Sequence, residues 1–232
     1  MPKLVPDSCA EFGCFRRYYS GGGVWRGGTV FLAFPRSPNP RQSKDKLSIV
    51  VIEGTTRQER KSIHAARLIA DIGEKIPGVA ITFVDPLEML LPYPDGNDEA
   101  NKLAAWVAIN KAADAYFIVT PEYNHSFPGS LKKLLDNDLG NYTHKPVAFA
   151  GVSSSPWGGV RAVEALVGVV RELGMVATFA DVYFPKVDKL FDGQGRLQDQ
   201  SYMEVIEKAY KELIWMARVL KQGREAMPPE KK

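Results

Sequence analysis

TPEYNHSFPGSLKKLLDN, residues 120–137, follows directly on the apolar run Ala115-Tyr116-Phe117-Ile118-Val119. An unbroken apolar run bounded by turn formers reads as a strand buried on both faces, the mark of a parallel sheet. The chain leaves that strand through Pro121, Glu122, Tyr123 and Asn124. It enters a helix at Pro128, with Leu131, Leu134 and Leu135 at helical spacing. In an open α/β sheet, ligands bind just outside the carboxyl ends of the strands. A stiff loop there, carrying an aromatic ring and an amide, suits a flat ring system with polar edges.

Outward from this stretch the chain alternates regularly. The pattern predicts strands over Leu47–Ile52, Val79–Val84, Ala115–Thr120, Pro146–Val152 and Met175–Val182. Between and after them it predicts helices over Ser62–Ile76, Asp98–Ala113, Pro128–Asn137, Gly158–Leu173 and Gln200–Lys221. In the first of these, Ile63, Ala66, Ile69 and Ala70 share one face, and Pro77-Gly78 stops the helix. Strictly alternating strands and helices imply a doubly wound parallel sheet. Phe191-Asp192-Gly193, with Leu197 beyond it, reads as a hairpin-like turn, since no companion kinase motif is present.

Two further loops leave strand ends. EGTTRQERKS, Glu53 to Ser62, offers a tight turn at Gly54, hydroxyls at Thr55 and Thr56, and the Arg57 guanidinium beside a helix start. Helix N-termini attract anions, and arginine matches two phosphate oxygens at once. The loop has neither the GxxxxGK[ST] spacing of a nucleoside triphosphatase nor the GxGxxG of a dinucleotide fold. GVSSSPWGGVRA, Gly151 to Ala162, places Ser153, Ser154 and Ser155 before Gly158-Gly159, where they suit hydrogen bonding to ring carbonyls.

Together these segments resemble the NADPH-dependent FMN reductase family, over roughly residues 46 to 220. The first loop is similar to that family's GSxR-type phosphate loop, with Thr55 in place of serine, and Gly158, Gly159 and Arg161 match its GG-x-R segment. The resemblance implies a flavodoxin-like α/β fold, a five-stranded parallel sheet in the order 2-1-3-4-5 with helices on both faces. That order brings the three loops into one crevice. It also implies FMN as cofactor and NADPH or NADH as electron donor. The acceptor would be a small molecule such as flavin, a quinone, an azo compound or a metal oxyanion. Carried over, Thr55, Arg57 and Ser62 bind the FMN phosphate, with Arg60 and His64 as weaker candidates. Pro121, Glu122, Tyr123 and Asn124 lie along the isoalloxazine, and Ser153, Ser154 and Gly158 complete the cofactor site. No catalytic side chain and no metal ligand is implied, and a homodimer or homotetramer is expected. Alternative readings are a flavodoxin-type electron carrier and a flavin-binding regulatory module. The run T/S-x-T-G-x-T of flavodoxins is missing from the first loop, which speaks for the reductases.

Composition sets the frame. The chain of 232 residues is 45% hydrophobic and 25% charged, as in an ordinary globule with one full α/β core. Residues 1–46 hold eight basic and three acidic residues, +5, which leaves −2 of the chain's +3 for the rest. A mildly acidic domain without a basic stripe makes nucleic acid an unsuitable partner. Both cysteines, Cys9 and Cys14, lie in that head, which excludes a disulfide framework and gives no zinc pattern. No signal-type apolar run or membrane-length stretch is evident, so a cytoplasmic protein is expected. Residues 1–45, rich in Gly and Pro without sustained periodicity, read as a flexible or non-native extension. Residues 46–222 read as the FMN-binding reductase domain and 223–232 as a flexible polar tail. Trp106 and Trp215 fall in helical patterns and read as core or interface residues; Trp157 reads as packing against a neighbour or narrowing the site entrance.

Overall fold

The computed structural model describes residues 46–89, 91 and 103–227. The head 1–45, residues 90 and 92–102, which include the first part of the helix expected from Asp98, and residues 228–232 lie outside the described residues.

In chain order the elements are β1 (Leu47–Glu53), α1 (Ser62–Glu74), β2 (Val79–Val84), α2 (Ala104–Ala112), β3 (Ala115–Pro121) and α3 (Gly129–Asp136). They continue with β4 (Pro146–Val152), α4 (Val160–Glu172), β5 (Val176–Ala177), β6 (Val182–Phe184), α5 (Val187–Leu190) and α6 (Ser201–Ala226). All strand pairs are parallel, in the order β2-β1-β3-β4-β5, with β6 also on β4. This is the expected flavodoxin-like order.

Period-two alternation sorts the core into two layers. Ile49 and Val51 of β1, Phe117 and Val119 of β3, and Ala148 and Ala150 of β4 face α1 and α6. Val50, Ile52, Tyr116, Ile118, Val147 and Phe149 face α2, α3 and α4. The central strands are therefore apolar on both sides along most of their length, because both faces are covered. Leu131, Leu134 and Leu135 are fully buried, as the helical spacing predicts. Gly73 of α1 lies against Tyr210 of α6, whose hydroxyl donates to Ile69 O at 2.8 Å.

Three expectations change in detail. The fifth strand is two short segments, β5 and β6, so among the described residues the sheet has six strands in five lanes. Val147 to Ala150 on β4 spans three steps, whereas their partners Ala177 and Val182 are five apart. The two extra residues are extruded, leaving Phe179 91% exposed. Second, a sixth helix, the one-turn α5, follows β6. Third, α6 continues to Ala226, past the tail boundary expected at residue 223. Arg224 holds that last turn by donating to His144 O at 2.5 Å, with Asp114 within 3.7 Å. Trp106 is fully buried, as a core residue, and donates to Tyr142, whereas Trp215 is 61% exposed. The Phe191–Leu197 turn forms as expected, closed by an antiparallel bridge.

No helix among the described residues is long and apolar enough to cross a membrane.

Candidate functional site

The three loops leave β1, β3 and β4, which are neighbours in the sheet. Glu53 pairs with Val119, and Pro121 with Val152, so the strands end almost level. Gly54 keeps the first loop close to β3: a Cβ there would meet Val119 O at 2.6 Å.

The first two loops are joined directly. The Thr55 and Tyr123 hydroxyls are 3.0 Å apart, and the Arg57 guanidinium lies 4.3 Å from the centroid of the Tyr123 ring. Arg57 is exposed and Thr55 is buried. The ring thus orients the cation, and the shared hydroxyl pair fixes the ring.

The second loop is a tight hairpin. Tyr123 and Ser126 exchange both backbone hydrogen bonds, at 2.8 and 3.0 Å. Asn124 and His125 between them adopt φ of 50° and 66°, as a two-residue primed turn requires. The Glu122 amide donates to Val152 O at 3.1 Å and the Tyr123 amide to Ser126 O. They are not turned toward a ligand; only the turn tip, with the exposed Asn124, can present amides outward.

Arg161, in the first turn of α4, clamps this loop. Its Nε donates to Glu122 Oε1 at 2.7 Å, and its Nη1 lies 2.9 Å from His125 Nε2. The other carboxylate oxygen of Glu122 is buried without a partner.

In the third loop, Ser153 Oγ is 2.9 Å from Ser155 Oγ and accepts from the Ser155 amide at 3.1 Å, while Ser154 is exposed. The Ser153 amide donates to Phe184 O, which ties the loop to β6. Gly158 and Gly159 turn the chain at φ of 63° and 87°. Gly158 is buried, and a Cβ on it would meet Pro185 N and Tyr183 Cβ at 3.1 Å. Its place is therefore in packing the loop, not in lining open space beside a ligand. Pro121 is likewise buried within β3.

Beneath the first loop lies a group the sequence reading passed over. Glu53, the last residue of β1, is fully buried. Ser62 Oγ donates to its Oε1 at 2.5 Å, and its Oε2 has no partner. Burial pushes this carboxyl up to about 8, with Asp85 adding to the rise and Ser62 and Arg60 opposing it. Arg60 points inward. It donates to Arg57 O at 3.0 Å and pairs closely with Asp85, so it is unavailable as a loop-surface phosphate ligand. His64 packs against Gly195 and the Phe191 ring, away from the loop surface. The detectable signal for Glu53 was a lone acid closing an apolar strand, LSIVVIE.

The family model described as NADPH-dependent FMN reductase matches residues 47–188, the stretch carrying all three loops. The chain belongs to that family. It is therefore an oxidoreductase that works with FMN and a nicotinamide donor. An NAD(P)H-dependent FMN reductase of Pseudomonas aeruginosa is 29% identical, covering 75% of this chain and 98% of its own. An NADPH azoreductase of a Bacillus species is 30% identical, covering 79% and 100%. The solved structure of a flavoenzyme NAD(P)H:(acceptor) oxidoreductase from Paracoccus denitrificans superposes with a TM-score of 0.61. It is 19% identical and covers 74% of this chain and 98% of that one, a likeness of fold.

The residues present fit FMN. An exposed guanidinium on the loop that leads into α1 suits its phosphate. The orphaned buried oxygens of Glu53 and Glu122 mark polar capacity left unmatched at the same strand ends.

Proposed function

We propose that the chain holds FMN across the ends of β1, β3 and β4 and reduces small acceptors: free flavin, quinones, azo compounds or metal oxyanions. The observation that carries this reading is the Thr55–Tyr123–Arg57 junction, which joins the first two loops into one surface. Bound FMN would supply the two-electron chemistry between nicotinamide and acceptor.

The protein's own work is binding and orientation. Arg57 neutralises the phosphate, helped by the amides and dipole at the start of α1. Thr55 and Ser62 act mainly by shaping the loop, since their hydroxyls are engaged by Tyr123 and Glu53. Glu122 holds the hairpin through Arg161, leaving Tyr123 and Asn124 to face the ring system. Ser153 and Ser154 offer hydroxyls to its polar edge. The buried Pro121 and Gly158 set the course of the backbone beside them. A cytoplasmic homodimer or homotetramer is the form this reading favours, with the exposed Trp157 and Trp215 available for contact.

Titrating FMN into the protein, then adding NADPH while following flavin absorbance near ~450 nm, tests the reading. FMN should bind, and NADPH should bleach it. Arg57→Ala should weaken FMN about ten- to a hundredfold with the fold intact, the worth of one charge-assisted phosphate contact. An unchanged dissociation constant would place the phosphate elsewhere.

A further inference from the structure

Glu53 sits where the carboxyl end of β1 meets the amino end of α1, directly under the loop that joins them. Its Oε1 accepts from Ser62, the first residue of α1. The charged groups around it are unequal in number. One guanidinium, Arg60, faces two carboxyls, Glu53 and Asp85. Arg60 pairs closely with Asp85, which also accepts from the Leu87 amide at 3.0 Å. It reaches Glu53 only through Nε at 3.9 Å, beyond hydrogen-bond distance. Toward β3 the loop meets Val119 O and the uncharged Thr120. Arg57 is drawn over Tyr123 instead. Glu53 thus has only the longer, 3.9 Å approach to a guanidinium that Asp85 holds more closely, and its Oε2 is a buried polar atom without a hydrogen-bond partner.

We propose that Glu53 serves the phosphate site as a neutral carboxylic acid, its Oε2–H donating to an oxygen of the bound anion. An ionised Glu53 in this position would instead set a buried negative charge against the phosphate. Anion binding is therefore coupled to a proton on Glu53. The high titration point of this carboxyl agrees with that geometry. The inference rests on the flavin reading above and adds to it a residue that selects the protonation state in which the cofactor is held.

The test is calorimetric titration of the whole protein with FMN from about pH 7 to about pH 9.5, in two buffers of different ionisation heat. Riboflavin, which shares the ring system but lacks the phosphate, is the control. FMN affinity should hold steady to about pH 8 and then fall, approaching about tenfold per pH unit, with close to one proton taken up on binding. Riboflavin should show neither effect. Glu53→Gln, isosteric and permanently neutral with a donor in the Oε2 position, should lose the alkaline fall, its affinity staying level from about pH 7 to about pH 9.5. FMN binding that stays constant to about pH 9.5, or that takes up no proton, overturns this inference alone. FMN that fails to bind at any pH overturns the flavin reading and this inference with it. The proton count on the unaltered protein decides the matter even if the variant does not fold.

Discussion

Glu53 and Arg57 stand four positions apart in one loop, yet they differ in how far the sequence discloses them. Arg57 was legible because its role depends on residue type and position: a guanidinium before a helix start. Glu53 was not, because its behaviour comes from burial, which alternation cannot assign to the last residue of a strand. The same burial makes stability depend on pH. Below about pH 4.5, the ordinary carboxyl value, folded and unfolded chains both hold the proton. Between there and about 8 the folded chain still holds the proton that the unfolded chain has lost. Each pH unit in that window therefore removes up to ~1.4 kcal/mol of stability, and the loss is complete once both forms are ionised. Glu53→Gln stays neutral in both states and escapes this loss. Urea unfolding at pH values at the two ends of the window should show the variant gaining on the parent by a few kcal/mol at the alkaline end. Equal gaps at both ends would mean that Glu53 is ionised in the folded protein. Arg60 carries a related lesson. Type and position offered it as a phosphate ligand, and the pairing with Asp85, from a distant segment, turned it inward.

The elements themselves were read with little error where burial is complete on both faces. β1, β3 and β4 are apolar along most of their length, Ser48, Glu53 and Thr120 apart, which marks them as strands covered on both faces. The break in the fifth lane is not legible in the sequence, because it is a matter of register against β4. Val176, Ala177 and Val182 all have strand-like character, and nothing local announces two surplus residues between them. The turn from β4 into α4 was legible as a glycine pair, though the reason for the pair was not. Gly159 combines φ of 87° with a site where a Cβ would meet Val152 N at 2.5 Å. Gly159→Ala therefore incurs about 1–2 kcal/mol for the left-handed backbone and a further ~1–3 kcal/mol for displaced neighbours. Its urea midpoint should fall accordingly with an unchanged slope, and FMN affinity should fall with it as the Ser153–Ser155 segment shifts. Gly168→Ala, on α4 where a Cβ meets nothing within 4 Å, is the control and should be neutral or slightly stabilising. Comparable losses in both variants would show that α4 tolerates no added methyl, and the argument from Gly159 would fail.

At the scale of the whole molecule, charge and pattern divide the chain at the same place. The excess of basic residues is confined to residues 1–46, and the first apolar strand begins at Leu47. Among the described residues, the three site loops and both apolar layers of the core follow that point. A protein beginning near Lys44 should therefore keep its melting temperature and its NADPH-dependent reduction of FMN. Loss of FMN binding on truncation would show that the head completes the site. Oligomer formation is tested on the same shortened protein by light scattering. Trp106 no longer supports a shared interface, because it is fully buried within its own chain. Trp157, 63% exposed at the edge of the third loop, remains the better candidate. A large aromatic surface held at a strand-end loop favours burial against a second copy, since interface cores are enriched in such residues. The shortened protein should scatter as a dimer or tetramer, and Trp157→Ser should shift it toward monomer while leaving its melting temperature nearly unchanged at high concentration. A monomer with full activity in the shortened but otherwise unaltered protein would show that the site is complete within one chain, and that Trp157 belongs to the mouth of the crevice.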